Sequence, residues 1–157
     1  MIRFAAIATV GALVFAPTVA VSQTAAATRS PVWGPQVSLA FDASDVGLGA
    51  RYHHSLSGVL GGAPISGMAE ANWFPGSPDI FDFNYDVVYN FPPSSVRFYA
   101  GGGLNLLIAS PGGSDFHLNA LGGVMLKPLG KITPLFQLRY IFVGGGDEFI
   151  GTFGIMF

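Results

Sequence analysis

The chain has 157 residues, with 7 Lys plus Arg against 9 Asp plus Glu, no Cys, 22 Gly and 14 Phe; half of it is apolar and 10% charged. About 25% charged residues is usual for a water-soluble domain, so this chain carries too little charge to clothe a wetted surface. A formal charge of −2 excludes a nucleic-acid binder that works through a basic face, and the absence of Cys excludes a disulfide framework, thiolate catalysis and Cys-ligated metal sites.

Met1–Ser22 opens with a single cation, Arg3, then an apolar run that ends at Pro17, followed by the small residues Thr18, Ala20 and Ser22. A short basic start, an apolar core of about 7–15 residues and a small-residue site are the parts of an export signal. The segment 1–22 is therefore expected to be cleaved, after Ala20 or after Ser22. Pro17 cuts the run short of the ~20 residues that a spanning helix needs. Residues 23–35 read as an extended lead-in.

From Gln36 onward one pattern repeats: strict alternation of apolar and polar residues, closed by turn residues. The runs are 36–42, 46–53, 65–74, 81–91, 96–108, 116–127, 132–143 and 149–157. Between them stand clusters such as Pro75-Gly76-Ser77-Pro78-Asp79 and Gly144-Gly145-Gly146-Asp147. Apolar residues at every second position argue for strands rather than helices, and Gly, Pro, Asp and Ser supply the backbone angles of tight connections. Eight antiparallel strands are expected over 36–157, an all-β fold.

The two faces differ sharply. One, running through Val37, Leu48, Ala71, Tyr85, Leu104, Leu118, Leu138 and Phe153, contains no charge, amide, hydroxyl side chain other than Tyr, or His over the eight runs. The other carries Asp42, Glu70, Asp82 and Asp86 against Arg51, Arg97, Lys127 and Arg139, among Asn, Gln and His. A soluble barrel would bury the apolar face and wet the polar one; a transmembrane barrel turns the apolar face to lipid. The polar face is poor in Lys and Glu and also holds Met68, Val88, Leu121 and Ile141, and several runs reach the ~9–11 residues that cross a bilayer at a tilt.

The aromatics decide between the two. With both termini in the periplasm, Phe41, Trp73, Phe81, Phe83, Tyr140, Phe142 and Phe149 collect near the outer rim, and Tyr89, Phe91 and Phe98 near the inner one. Rings sorted to two levels form the girdles of a membrane barrel, because they favour the headgroup region. The expectation is an eight-stranded antiparallel up-and-down transmembrane β-barrel in the outer membrane of a Gram-negative cell, in contact with outer-membrane lipid and monomeric.

The chain thereby resembles the small eight-stranded outer-membrane barrels of the OmpA/OmpX kind. The resemblance rests on the strands Phe98-Tyr-Ala-Gly-Gly-Gly-Leu-Asn-Leu and Ile132-Thr-Pro-Leu-Phe-Gln-Leu-Arg-Tyr, and on the closing strand that ends at Phe157. It implies that Phe153, Ile155 and Phe157 act as the signal read by the barrel-assembly machinery, with periplasmic chaperones as partners in biogenesis. The family does not imply one activity.

Candidate chemistry is sparse. An eight-stranded barrel leaves an interior just wide enough for side chains, so the polar face reads as a packed plug. Phase and depth bring Arg51, Glu70 and Asp86 together, with Arg97 and Arg139 completing the interior charges. His53-x-Ser55 with Glu70 echoes the His-x-Ser plus Glu set of outer-membrane lipid-A deacylases, but it falls at the wrong end of the barrel. No catalytic residue, cofactor or metal site is expected. A structural, membrane-integrity role leads, ahead of a narrow small-solute pore; a soluble periplasmic barrel binding an apolar ligand is the alternative of another class.

Overall fold

A computed structural model describes residues 32–56, 62–92, 96–144 and 146–157; the expected export signal and the lead-in up to residue 31 lie outside the described residues. The fold is all-β. Eight strands, β1 (Trp33–Ala40), β2 (Asp45–Ser55), β3 (Ile65–Phe74), β4 (Asp79–Asn90), β5 (Arg97–Ser110), β6 (Ser114–Met125), β7 (Thr133–Phe142) and β8 (Glu148–Met156), pair antiparallel with their sequence neighbours. β1 closes on β8, with Val37 opposite Phe153 and Leu39 opposite Gly151. Closure leaves no sheet edge to pair with another chain.

The strand runs fall within a few residues of the alternating runs. β1 starts three residues ahead of Gln36, so Trp33–Pro35 belongs to the wall rather than to the lead-in. Trp33 packs on Phe157, ring centroids 5.3 Å apart, while Val32 N donates to Phe157 O at 2.8 Å. The two ends of the described chain therefore meet at one rim, the termini end. The four connections at the opposite rim, the loop end, are the shorter ones.

The period-two pattern turns the apolar face outward. Leu104, Leu118 and Phe116 are 57%, 61% and 74% exposed, whereas Arg51, Glu70, Asp82, Asp86 and Arg139 point inward and are buried. Two inward apolar clusters bracket these polar side chains. At the termini end lie Met68, Val88, Tyr99, Leu121, Met125, Leu135 and Met156; at the loop end Ala40, Phe74, Ile141 and Ile150 pack with Ile80 and Val143.

A polar side chain also stands within the outer face. His54, beyond the run expected to end at residue 53, stands outward on β2 and meets the Tyr85 hydroxyl through Nε2 at 3.2 Å. A Cβ at Gly67 would collide with the His54 ring, so the glycine makes the room. This pair accounts for an aromatic standing in the middle of the wall.

Candidate functional site

The site is the polar interior between the two apolar clusters. It begins with a neighbour pair dictated by register: Arg51 on β2 lies opposite Glu70 on β3, and Arg51 Nη2 stands 2.8 Å from Glu70 Oε1. Arg51 also donates through Nε to Gln36 Oε1 at 2.5 Å, and through Nη1 to the Tyr99 hydroxyl and to Gln137 Oε1, both at 3.2 Å. Tyr99 in turn donates to Gln137 Oε1 at 3.0 Å, and Gln137 Nε2 donates to Glu70 Oε1 at 3.1 Å.

The second guanidinium reaches across the barrel from β7. Arg139 Nη2 contacts Glu70 Oε2 at 2.6 Å and Asp86 Oδ2 at 2.9 Å, while Nη1 donates to Asn84 Oδ1 at 2.6 Å and Asp86 Oδ1 at 3.2 Å. Its contact with Asp86 is a two-armed guanidinium–carboxylate fork, the strongest geometry for such a pair. The expected meeting of Arg51 with both Glu70 and Asp86 is therefore redistributed. Glu70 bridges the two arginines, and the partner of Asp86 is Arg139. Phase and depth along each strand do not report contacts across the interior, which depend on how the closed sheet is staggered.

Arg97 stands apart. It is half-buried at the termini end and makes no ion pair or hydrogen bond among the described residues. His53 points inward with its ring edge-on to Tyr99, centroids 6.2 Å apart. Glu70 is engaged by Arg51, Arg139 and Gln137, and the buried Nε2 of His53 meets no hydrogen-bond partner among the described residues. Among the described residues no cluster of three or more His, Cys, Asp or Glu could hold a metal ion.

Toward the loop end the network becomes one of amides around Asp82. Asn72 Nδ2 donates to Asp82 Oδ2 and Asn84 Nδ2 to Asp82 Oδ1, both at 2.9 Å, and Asn105 Nδ2 donates to Asp82 Oδ1 as well. Gln36 Nε2 and the Ser38 hydroxyl donate to Asn72 Oδ1 at 2.6 and 3.1 Å. Charged residues alone do not point to this half of the interior. Its signal was the recurrence of Asn on the polar face at 72, 84, 105 and 119, with Asn72 opposite Asp82 and Asn84 opposite Asn105 once the turns are closed.

The rings expected at the two rims are outward and sorted. Phe41, Trp73, Phe81, Phe83, Phe142 and Phe149 are exposed in the loop-end half, joined by half-buried Tyr140; Tyr89, Phe91 and Phe98 are exposed at the termini end. Tyr140 packs edge-on against Phe142 and Phe149, centroids 4.9 and 4.7 Å apart, and donates its hydroxyl to Asp147. Phe153 and Phe157 are outward and exposed, with Ile155 between them half-buried.

No protein-family model matches the chain, and no curated protein matches its sequence. Solved structures do resemble it. The N-terminal β-barrel domain of Pseudomonas aeruginosa OprF superposes with a TM-score of 0.61 at 14% identity, over 78% of this chain and 92% of that one. The outer-membrane enzyme PagL gives 0.52 at 14% identity, over 81% and 99%. With closure in eight antiparallel strands and a polar interior, the chain has the fold of the small eight-stranded outer-membrane β-barrels.

Proposed function

We propose that this protein is an integral outer-membrane barrel, exported by a cleaved signal in residues 1–22, whose interior is a structural plug and whose role is to support the integrity of the envelope. The observation that carries the reading is the inversion of its faces. Outside stands an uncharged apolar wall with rings at two levels; inside stand two arginines and three carboxylates, all buried. In water such a wall would associate or precipitate, and in lipid it is the face a barrel needs.

Two features favour a plug over a pore. The interior side chains bond to one another from Arg51 to Asp82, and apolar clusters stand at both ends. An apolar ligand is disfavoured by the same filling, since the place it would take holds ion pairs. The reading is non-catalytic, because Glu70 is engaged by two arginines. Phe153, Ile155 and Phe157 are assigned to recognition by the assembly machinery, and the protein acts as a monomer.

The test has two parts. After cell fractionation the protein should sediment with the outer membrane, resist osmotic shock, and migrate faster on a gel when left unboiled. Purified and inserted into a planar bilayer, it should give no resolved conductance steps. Release by osmotic shock would refute the membrane assignment, and steady single-channel currents would favour the pore.

A further inference from the structure

The outward wall is not evenly filled. From β5 round to β1 its side chains fall into rows set by the strand pairing. One row is bulky: Phe98 lies opposite Val124, Val124 opposite Phe136, Phe136 opposite Phe153 and Phe153 opposite Val37. The next row toward the loop end alternates small with large, Gly122 opposite Leu138, Leu138 opposite Gly151 and Gly151 opposite Leu39. Beside the bulky row, the side chains missing at the two glycines leave an outward groove of about 900 Å³ with an almost wholly apolar lining. A Cβ on Gly122 would meet nothing closer than 3.9 Å, so the floor is open there. Strands of a barrel tilt by about 35–45°, so a row across them runs aslant. The groove therefore opens near the termini end at Phe98 and climbs toward the loop end at Phe41 and Val46.

Charge distinguishes its two ends. Among the described residues Arg51 and Arg139 are paired in the interior. The other three cations, Arg97, Lys127 and Lys131, all lie at the termini end, at the start of β5 and in the connection from β6 to β7. These are the strands on which the groove opens. Arg97 precedes Phe98 and lies opposite Met125, two residues before Lys127. Lys127 and Lys131 are exposed and make no ion pair among the described residues. Leu129 stands between them in the chain, 66% exposed. An exposed apolar side chain between two long cationic ones suits a membrane interface, where the stems enter the acyl region and the ammonium groups stay at the headgroups. No Asp or Glu side chain accompanies them. Glu70, Asp82 and Asp86 are buried in the interior, and Asp42, Asp45, Asp79, Asp115, Asp147 and Glu148 all lie at the loop end.

We propose that the termini-end half of this groove seats the acyl chains of an anionic glycerophospholipid, with Lys127 and Lys131 holding its phosphodiester headgroup and Arg97 adding to the positive field. The inference rests on the membrane reading given above. The groove supplies a place for the chains, and the bases choose the sign of the headgroup and the leaflet. One cation near a membrane surface favours an anionic lipid about fivefold. A zwitterionic headgroup gains little from the same lysines, and an anionic lipid of the opposite leaflet would set its phosphates beside six carboxylates.

The test is photo-crosslinking of the full-length protein folded into phosphatidylcholine vesicles. The vesicles carry a trace of phosphatidylglycerol, or of phosphatidylcholine, with a diazirine in one acyl chain. At low salt phosphatidylglycerol should label the wall around Phe98, Val124 and Phe136 at least about fivefold more than phosphatidylcholine does, and the excess should fade as salt rises. The double variant Lys127→Ala, Lys131→Ala, altered only at exposed positions of a connection, should lose the excess. Gly122→Leu, which fills the floor, should reduce labelling there with the lysines intact. Equal labelling by the two lipids overturns the proposal, as does an excess spread evenly round the rim, one that survives loss of both lysines, or labelling that Gly122→Leu leaves unchanged. Each of these results still leaves the wall labelled by phosphatidylcholine and the barrel in its membrane. A wall labelled by neither lipid overturns the membrane reading itself, and the lipid site with it.

Discussion

Arg139 is the residue on which the interior most depends, because among the described residues it alone joins Glu70 on β3 to Asp86 on β4 from the far side of the barrel. Removing it leaves Asp86 with no cation at contact and Glu70 with Arg51 only. Breaking a buried pair by deleting one partner costs about 3–5 kcal/mol, since the remaining charge stays buried without compensation. Arg139→Ala should therefore lower unfolding stability by that amount in detergent or lipid, read from denaturant midpoints. Arg51→Ala should cost less, because Glu70 keeps its 2.6 Å contact with Arg139. Arg97→Ala, whose side chain bonds to nothing described, should stay within about 0.5 kcal/mol of wild type. Equal losses for the three variants would mean that the arginines are interchangeable and the cross-barrel fork immaterial.

At the scale of elements, the seam between β4 and β5 is set by glycine. Gly103 lies opposite Asp86, and a Cβ there would press on Asp86 Oδ1 at 2.8 Å and on the Tyr85 carbonyl oxygen. Gly122, on the outward face of β6, has nothing closer than the Tyr99 carbonyl oxygen at 3.9 Å. Gly103→Ala should thus destabilise by about 1–3 kcal/mol, the usual cost of overpacking. Gly122→Ala should be neutral or slightly stabilising, because it reduces the freedom of the unfolded chain without a clash. The unfolding midpoints of the two variants measure the contrast, and a loss at Gly122 equal to that at Gly103 would remove the steric explanation.

Much of the wall, and less of the interior, can be read from sequence. Strand positions were legible because a side-chain period of two leaves little choice of face; 65–74 matches β3 at both ends. The pair Arg51–Glu70 was legible because it is a neighbour pair across one connection. The Arg139–Asp86 fork was not, since β7 and β4 are not neighbours and only closure of the sheet with its particular stagger brings them together. The opposite facing of His53 and His54 follows from the same period, whereas the contact of His54 with Tyr85 on β4 does not.

At the scale of the molecule, the outward wall and the inward stack make separate demands. The wall must stay uncharged wherever it meets hydrocarbon. Leu104 stands near the middle of β5, opposite Tyr85 and Leu118; Leu104→Arg should cost about 2–4 kcal/mol of insertion free energy. Its membrane yield and its unboiled mobility shift should both fall, and normal values would mean that this face does not meet lipid. The inward stack has three layers in series: the Phe74–Ile141–Ile150 cluster, the ion-paired network, and the Met68–Leu135–Met156 cluster. An ion crossing the barrel would have to pass all three, so opening any one leaves two in place. Phe74→Ala and Met156→Ala should each lose stability by cavity formation, about 2–5 kcal/mol, yet neither should conduct. Planar-bilayer recordings of the two variants measure this directly. Steady currents through Phe74→Ala would show that the polar network is wet enough to pass ions, and that the loop-end cluster alone keeps the barrel shut.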